Sequence, residues 1–194
     1  MPNTELTPES LSTDSRDTLL SLAYHTVCDL VMDRHIRHIQ PLDPHLAALT
    51  QHAGAFVTLS HHGELRGCIG RILADQPVWQ VVQQMAVAAA ENDPRFEPLS
   101  PAELNDLEVE ISVLSPLRTI NHVDEIEVGK HGLLITKGFH RGLLLPQVAT
   151  ERGWDRATFL DATCEKAGLP AGTWRRGATI EIFSALVFSK TFSG

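Results

Sequence analysis

The hexapeptide Leu65-Arg66-Gly67-Cys68-Ile69-Gly70 gathers the groups best suited to chemistry: a thiol, a guanidinium two residues before it, and two glycines that clear space beside the sulfur. It falls within a strand-like stretch, Glu64 to Ile72, and side chains on a strand alternate faces. Arg66 and Cys68 are therefore expected on one face, roughly 7 Å apart at about 3.3 Å of rise per residue. A guanidinium near a thiol favours its nucleophilic thiolate form. Glycine inside a strand often marks close approach by a ligand or another backbone. Three readings stay open: an activated Cys68, a ligand-binding floor at Gly67 and Gly70 with Arg66 holding an anion, and a small cysteine merely packed between glycines.

Other residues could serve the same purpose. Glu108, Glu110 and Ser112 share one face of an alternating stretch, so paired carboxylates there could move protons or hold a metal. The bland alternative is the solvated face of an edge strand, and Glu110 could pair with Arg66 if their strands are neighbours. The stretch Lys137-Gly138-Phe139-His140-Arg141-Gly142 reads as a loop offering backbone N–H groups and the cations Lys137, His140 and Arg141 to an anion. It lacks Walker spacing, and a plain polar hairpin turn explains it equally well. In Asp93-Pro94-Arg95-Phe96, Arg95 is either solvated after a helix stop or placed at a cleft to bind a carboxylate or phosphate. Ten histidines are scattered, with His35 and His38 near a helix end and His61-His62 in a turn. No CxxC or HExxH spacing is present, so neither a metal nor a cofactor is expected. Cys28 and Cys164 fall on helical faces and read as packing residues.

These groups need elements to hold them. Leu19, Leu22, Ala23, Thr26, Val27, Leu30 and Val31 have helical spacing, which predicts a helix from Asp14 to Ile36 ending near Arg37, before Pro41 and Pro44. Residues 1–13 read as flexible. Ala55–Ser60 and Glu64–Ile72 form a hairpin around His61-His62-Gly63. Val78–Glu91 is an apolar helix, with Asp75 as a candidate N-cap, Pro77 in the first turn and Pro94 as the stop. Ser100 and Glu103 form a capping box before the strand Glu108–Leu114. Leu133–Lys137 and Leu143–Leu145 are short strands. Arg156–Ala167 is a helix capped by Asp155 and closed by Gly168, and Thr179–Ser189 is one more strand. Without a regular βαβ rhythm this predicts an α+β fold, a largely antiparallel sheet with flanking helices, over residues 14–194. Residues 77–106 are expected to form a smaller lobe.

Composition narrows the function classes. The 194 residues carry 16 Lys+Arg and 24 Asp+Glu, a net charge of −8, with 43% hydrophobic residues. That supports a real core and argues against a general nucleic-acid or membrane-surface binder, which needs a basic face. Three cysteines are too few for a disulfide scaffold and suggest reduced thiols. No apolar run approaches the ~20 residues of a membrane span, and the first ten residues show no secretory pattern, so a cytoplasmic protein is expected.

The ordered series Phe56-Val57-Thr58-Leu59, Leu65-Arg66-Gly67-Cys68-Ile69-Gly70, Asp93-Pro94-Arg95-Phe96, Glu110-Ile111-Ser112-Val113-Leu114-Ser115-Pro116, Arg141-Gly142-Leu143-Leu144-Leu145-Pro146-Gln147-Val148-Ala149 and Lys166-Ala167-Gly168-Leu169-Pro170 resembles the AMMECR domain family, also called AmmeMemoRadiSam system protein A. The resemblance covers about residues 16–190. It implies a two-lobed α+β fold with the Leu65–Gly70 strand near a cleft, and operation with Memo-like and radical SAM proteins in a chemical-modification system. It carries over no agreed catalytic residue. It marks Arg66, Gly67, Cys68 and Gly70 as a functional location, and it brings Cys164 into a matching motif. No iron–sulfur cysteine triad is present, so the chain is not itself the radical enzyme.

Two functions follow as expectations. In the first, the chain is an enzyme: Cys68 acts as nucleophile or redox thiol, Arg66 anchors an anionic substrate, and Glu110 or His140 handles protons. In the second, it is an adaptor that binds a small ligand or peptide for its partners. A nucleic-acid-associated regulatory factor is the third and least favoured reading, given the charge.

Overall fold

The computed structural model describes residues 6–36 and 44–193. In chain order its helices are α1 (Thr13–Val31), α2 (Val78–Glu91), α3 (Pro146–Glu151) and α4 (Arg156–Lys166). Its strands are β1 (Ala55–His61), β2 (Glu64–Arg71), β3 (Leu107–Leu114), β4 (Arg118–Thr119), β5 (Gly132–Lys137), β6 (His140–Leu144), β7 (Thr179–Phe183) and β8 (Ala185–Phe192). They form two four-stranded sheets, ordered β2-β1-β3-β8 and β4-β7-β5-β6. The chain divides into two compact units, residues 1–114 with 186–194, and Ser115–Ala185. The fold is α+β. The 77–106 stretch expected to form a smaller lobe belongs to the larger unit, because α2 packs on β1, β2 and α1.

In the larger unit, β1 pairs antiparallel with both β2 and β3. Ala55, Val57, Leu59, Val109, Ile111 and Val113 are fully buried on one face, as their alternation predicts. Each of the valine, leucine and isoleucine side chains contributes roughly 1.5–3 kcal/mol by leaving water. The hairpin turn is tighter than expected. His61 pairs with Glu64, leaving only His62 and Gly63 in the loop, at φ +52° and +80°. Positive φ at both central residues is what a two-residue turn matched to strand twist requires.

Helix α1 is capped at its start by Ser12, whose hydroxyl accepts from the Ser15 N–H at 3.1 Å. It stops at Val31, five residues short of the predicted end. Asp33 adopts a left-handed φ of +52°, and the Arg34 N–H turns back to the Asp29 carbonyl at 2.7 Å. A left-handed residue just past the last turn ends a helix without proline. Arg37 and His38 lie outside the described residues. The stretch before α1, expected to be flexible, instead buries Leu6 and Leu11 in the core, and the Leu6 N–H donates to the His52 carbonyl at 2.9 Å. Helix α2 has its predicted limits, with Pro77 at the N-cap position; Asp75 turns away to pair with Arg71.

In the smaller unit, Leu133 and Ile135 of β5 and Ile180 and Ile182 of β7 pack with Phe159, Leu160 and Cys164 of α4. Helix α4 begins as predicted, with the Asp155 carboxylate accepting from the Thr158 N–H at 2.8 Å. The single strand predicted over Thr179–Ser189 is two strands in two sheets. The break falls at Ser184, whose backbone bonds Ser115 in both directions, through the Ser115 N–H and the Ser115 hydroxyl. Among the described residues no helix is long and apolar enough to cross a membrane.

Candidate functional site

Strand β2 lies at the edge of its sheet, so the outward N–H and C=O groups of Cys68 need partners. Asp93 and Arg95, in the loop after α2, supply both. The Asp93 carboxylate accepts from the Cys68 N–H at 2.9 Å, and the Arg95 guanidinium donates to the Cys68 carbonyl at 3.4 Å. The two side chains also pair with each other, Arg95 donating to both Asp93 oxygens at 2.9 and 2.6 Å. Arg95 first, then the N–H groups of Cys68 and Arg95, hold the buried Asp93 carboxyl far below the ordinary carboxylate range, against the opposing effect of burial. Asp93 and Arg95 thus act as a side-chain substitute for one rung of a fifth strand. Arg95 is neither simply solvated nor a bare anion binder.

On the other side of β2, Thr58 stands opposite Cys68 and Glu110 stands opposite Thr58. Directly paired residues share a face, so Cys68, Thr58 and Glu110 form one row across three strands. All three are half-buried. The Thr58 hydroxyl donates to the Cys68 sulfur at 3.3 Å. Glu110 sits two strand spacings from Cys68, roughly 10 Å between backbones, with Thr58 between them. Its strand, β3, is central, which corrects the edge-strand alternative.

The shared face expected of Arg66 and Cys68 is broken, and β1 lies between the strands of Arg66 and Glu110, so the condition for their pairing is not met. A β-bulge at Leu59/Ser60 makes Arg66 the extra residue between the Leu65 and Gly67 pairings, and strict alternation fails there. Its guanidinium is taken by Glu103 and by the Glu97 carbonyl at 3.3 Å. Glu103 in turn accepts from the Ser100 N–H and hydroxyl at 2.9 and 2.8 Å. Arg66 and these bonds hold the Glu103 carboxyl down to about 2. The capping box is therefore also an anchor for Arg66. The cation bonded to Cys68 is Arg95, whose proton affinity is raised first by its hydrogen bond to Asp93. Arg66 and Arg95 both lie over the Phe96 ring, 5.6 and 5.3 Å from its centroid.

The two glycines serve packing rather than an open floor. A Cβ on Gly67 would sit 2.0 Å from the Ala89 carbonyl oxygen of α2, and one on Gly70 would sit 2.1 Å from the Phe56 ring. Gly67 allows the helix backbone to touch the strand; Gly70 is covered by its cross-strand aromatic neighbour.

The remaining predicted residues belong to the smaller unit. Only Gly138 and Phe139 form the turn; His140 and Arg141 are on β6. Lys137 faces His140 directly, whereas Arg141 opposes Thr136 and so points to the other face. The structure therefore separates Arg141 from the other two cations. Lys137 donates to the Arg176 carbonyl at 2.7 Å. His140 Nδ1 lies 3.2 Å from the Ala167 carbonyl, so it carries the proton there. Arg141 is exposed and makes no ion pair among the described residues. Cys164 is fully buried, and burial pushes its thiol up, as a packing role requires. Among the described residues no three His, Cys, Asp or Glu side chains group as metal ligands.

The geometry matches known proteins over nearly its full length. The AMMECR1 family profile matches residues 20–188. The chain belongs to the AMMECR1 family. Protein TK0174 of Thermococcus kodakarensis is 42% identical over 185 residues, covering 90% of this chain and 89% of its own. Protein MK0488 of Methanopyrus kandleri is 40% identical over 157 residues, 76% of each chain. The crystal structure of protein PH0010 from Pyrococcus horikoshii superposes with a TM-score of 0.83 at 32% identity, covering 95% of this chain and 99% of that one. For this AMMECR1 chain, Thr58, Asp93 and Glu103 are the site residues that sequence reasoning passed over. Asp93 stood two residues from Arg95, but its bond to Cys68 spans 25 residues and shows only in three dimensions.

Proposed function

We propose that this AMMECR1-family chain works in a multi-component chemical-modification system with Memo-like and radical SAM partners in the cytoplasm, and that its working surface is the sheet face carrying Cys68. One observation carries the reading. The Cys68 backbone is held on one side by Asp93 and Arg95, while Thr58 on the other side orients its sulfur. A thiol fixed from both sides on a half-buried face is what a preorganised site needs, and more than a packing cysteine requires. In this reading Cys68 is the reactive or ligand-touching group and Glu110 is the carboxylate of the row. Arg95, whose side chain is 54% exposed, offers its outer edge to an anionic ligand. Arg66, Gly67 and Gly70 position the strand.

Leu65 and Leu73, 39% and 49% exposed near the two ends of β2, favour a second reading in which the same edge docks a partner without catalysis. Genetic complementation separates the two. A folded Cys68→Ala chain that fails to restore the system supports the thiol reading; full restoration overturns it in favour of docking. Failure of the wild-type chain to crosslink with either partner in cells would overturn the system assignment itself.

A further inference from the structure

The smaller unit contains a pocket of about 440 Å³ bounded by Lys137 at the end of β5 and by the segment 169–176 that follows α4. Its wall carries three cations, Lys137, Arg175 and Arg176, in a chain whose net charge is −8. Two of them are held in place. Lys137 is tethered by its bond to the Arg176 carbonyl, which leaves ammonium protons to spare. Arg175 stacks on Trp174 with its guanidinium carbon 3.7 Å from the ring centroid. A carboxylate beside the wall, Asp161, is committed to the loop. Its Oδ1 accepts from the Gly172 N–H and from Trp174 Nε1, both at 2.7 Å, and Arg175 stands 3.9 Å away, beyond hydrogen-bond reach. Asp161 therefore shapes the loop and neutralises only part of the wall. Gly172, on the wall, adopts a left-handed φ of +76°, a conformation that favours glycine.

We infer that this pocket is a binding site for a small phosphorylated molecule, separate from the Cys68 face and independent of the function proposed for it. Three cations on the wall suit a dianion, and a phosphate monoester carries roughly −1.5 to −2 near neutral pH. Two arginines offer planar donor forks, and a lysine adds a point charge, the combination that suits phosphate oxygens. The volume fits a small organic body beside the phosphate.

Trp174 makes the site readable. The full chain labelled with 5-fluorotryptophan has three fluorine resonances, from Trp79, Trp154 and Trp174, and Trp174→Phe assigns the third. Titration with glycerol 3-phosphate and with inorganic phosphate is expected to move the Trp174 resonance saturably. The Lys137→Gln/Arg176→Gln double variant, which spares the Arg175–Trp174 stack, is expected to bind roughly tenfold more weakly or worse. Unchanged Trp79 and Trp154 resonances in that variant report an intact fold. Three results would each overturn the inference: no saturable shift with either phosphate in the millimolar range, an equal shift with succinate at matched ionic strength, or a double variant that titrates like the wild type.

Discussion

The two sheets solve one problem with different chemistry. Each places a hairpin at one edge, β1–β2 in the larger unit and β5–β6 in the smaller, and each pairs a third strand with the hairpin's first. Each edge strand carries an Arg-Gly pair, Arg66-Gly67 or Arg141-Gly142. In both, the glycine lets a helix end touch the strand: a Cβ on Gly67 meets the Ala89 carbonyl at 2.0 Å, and one on Gly142 meets the Ala167 nitrogen at 2.3 Å. The arginines then diverge. Arg66 is locked by Glu103 and lies over Phe96, while Arg141 is exposed and unpaired among the described residues. The larger unit also adds Asp93 and Arg95 along its edge at Cys68. The same strand geometry thus carries an arginine braced by an ion pair in the larger unit and an exposed one in the smaller.

The largest expected effects test what the two sheets share. Gly67→Ala and Gly142→Ala each push a methyl group into helix backbone, which cannot rotate away, so each is expected to cost about 3 kcal/mol or more in denaturant unfolding. A cost at one site alone would break the parallel. Asp93→Ala tests the brace. It strips the Cys68 N–H and Arg95 of their shared acceptor and is expected to cost about 2–3 kcal/mol. Faster hydrogen exchange at the Cys68 amide should accompany it.

Next comes the arginine contrast. Arg66→Gln is expected to cost about 1–2 kcal/mol, because Glu103 loses its counter-ion in a partly buried setting. Arg141→Gln should stay within about 0.5 kcal/mol. The first cost has a defined pH window. Glu103 is depressed from an ordinary 4.5 to about 2 in the folded chain. Its stabilisation is therefore complete above the unfolded value and fades as pH falls toward the folded one. The stability gap between wild type and Glu103→Gln should hold above about pH 5 and shrink toward pH 2. A gap that widens in acid would contradict the assignment.

Much of the frame was legible in the sequence because periodicity is local. The alternation of Val109, Ile111 and Val113, the limits of α2 and the Asp155 cap all follow from neighbours within a few residues. What was not legible depends on pairing. The bulge that displaces Arg66 exists only against Leu59 and Ser60 on the opposite strand. The bonds from Asp93 to Cys68 and from Glu103 to Arg66 cross long stretches of chain. Thr179–Ser189 read as one strand because nothing around Ser184 interrupts its β-forming pattern; the break comes from Ser115, nearly 70 residues away. At the N-terminus, Leu6 and Leu11 are single apolar residues in a polar run, too few to show periodicity, yet both are buried.

The proposed site requires Cys68 to be a presented thiol and Cys164 a packed one. Limited alkylation of the native chain, followed by peptide mass analysis of Cys28, Cys68 and Cys164, measures this directly. Cys68 should be modified first, and Cys164 only when the chain unfolds. Modification of Cys28 or Cys164 ahead of Cys68, or a Cys68 that resists until unfolding, would contradict it.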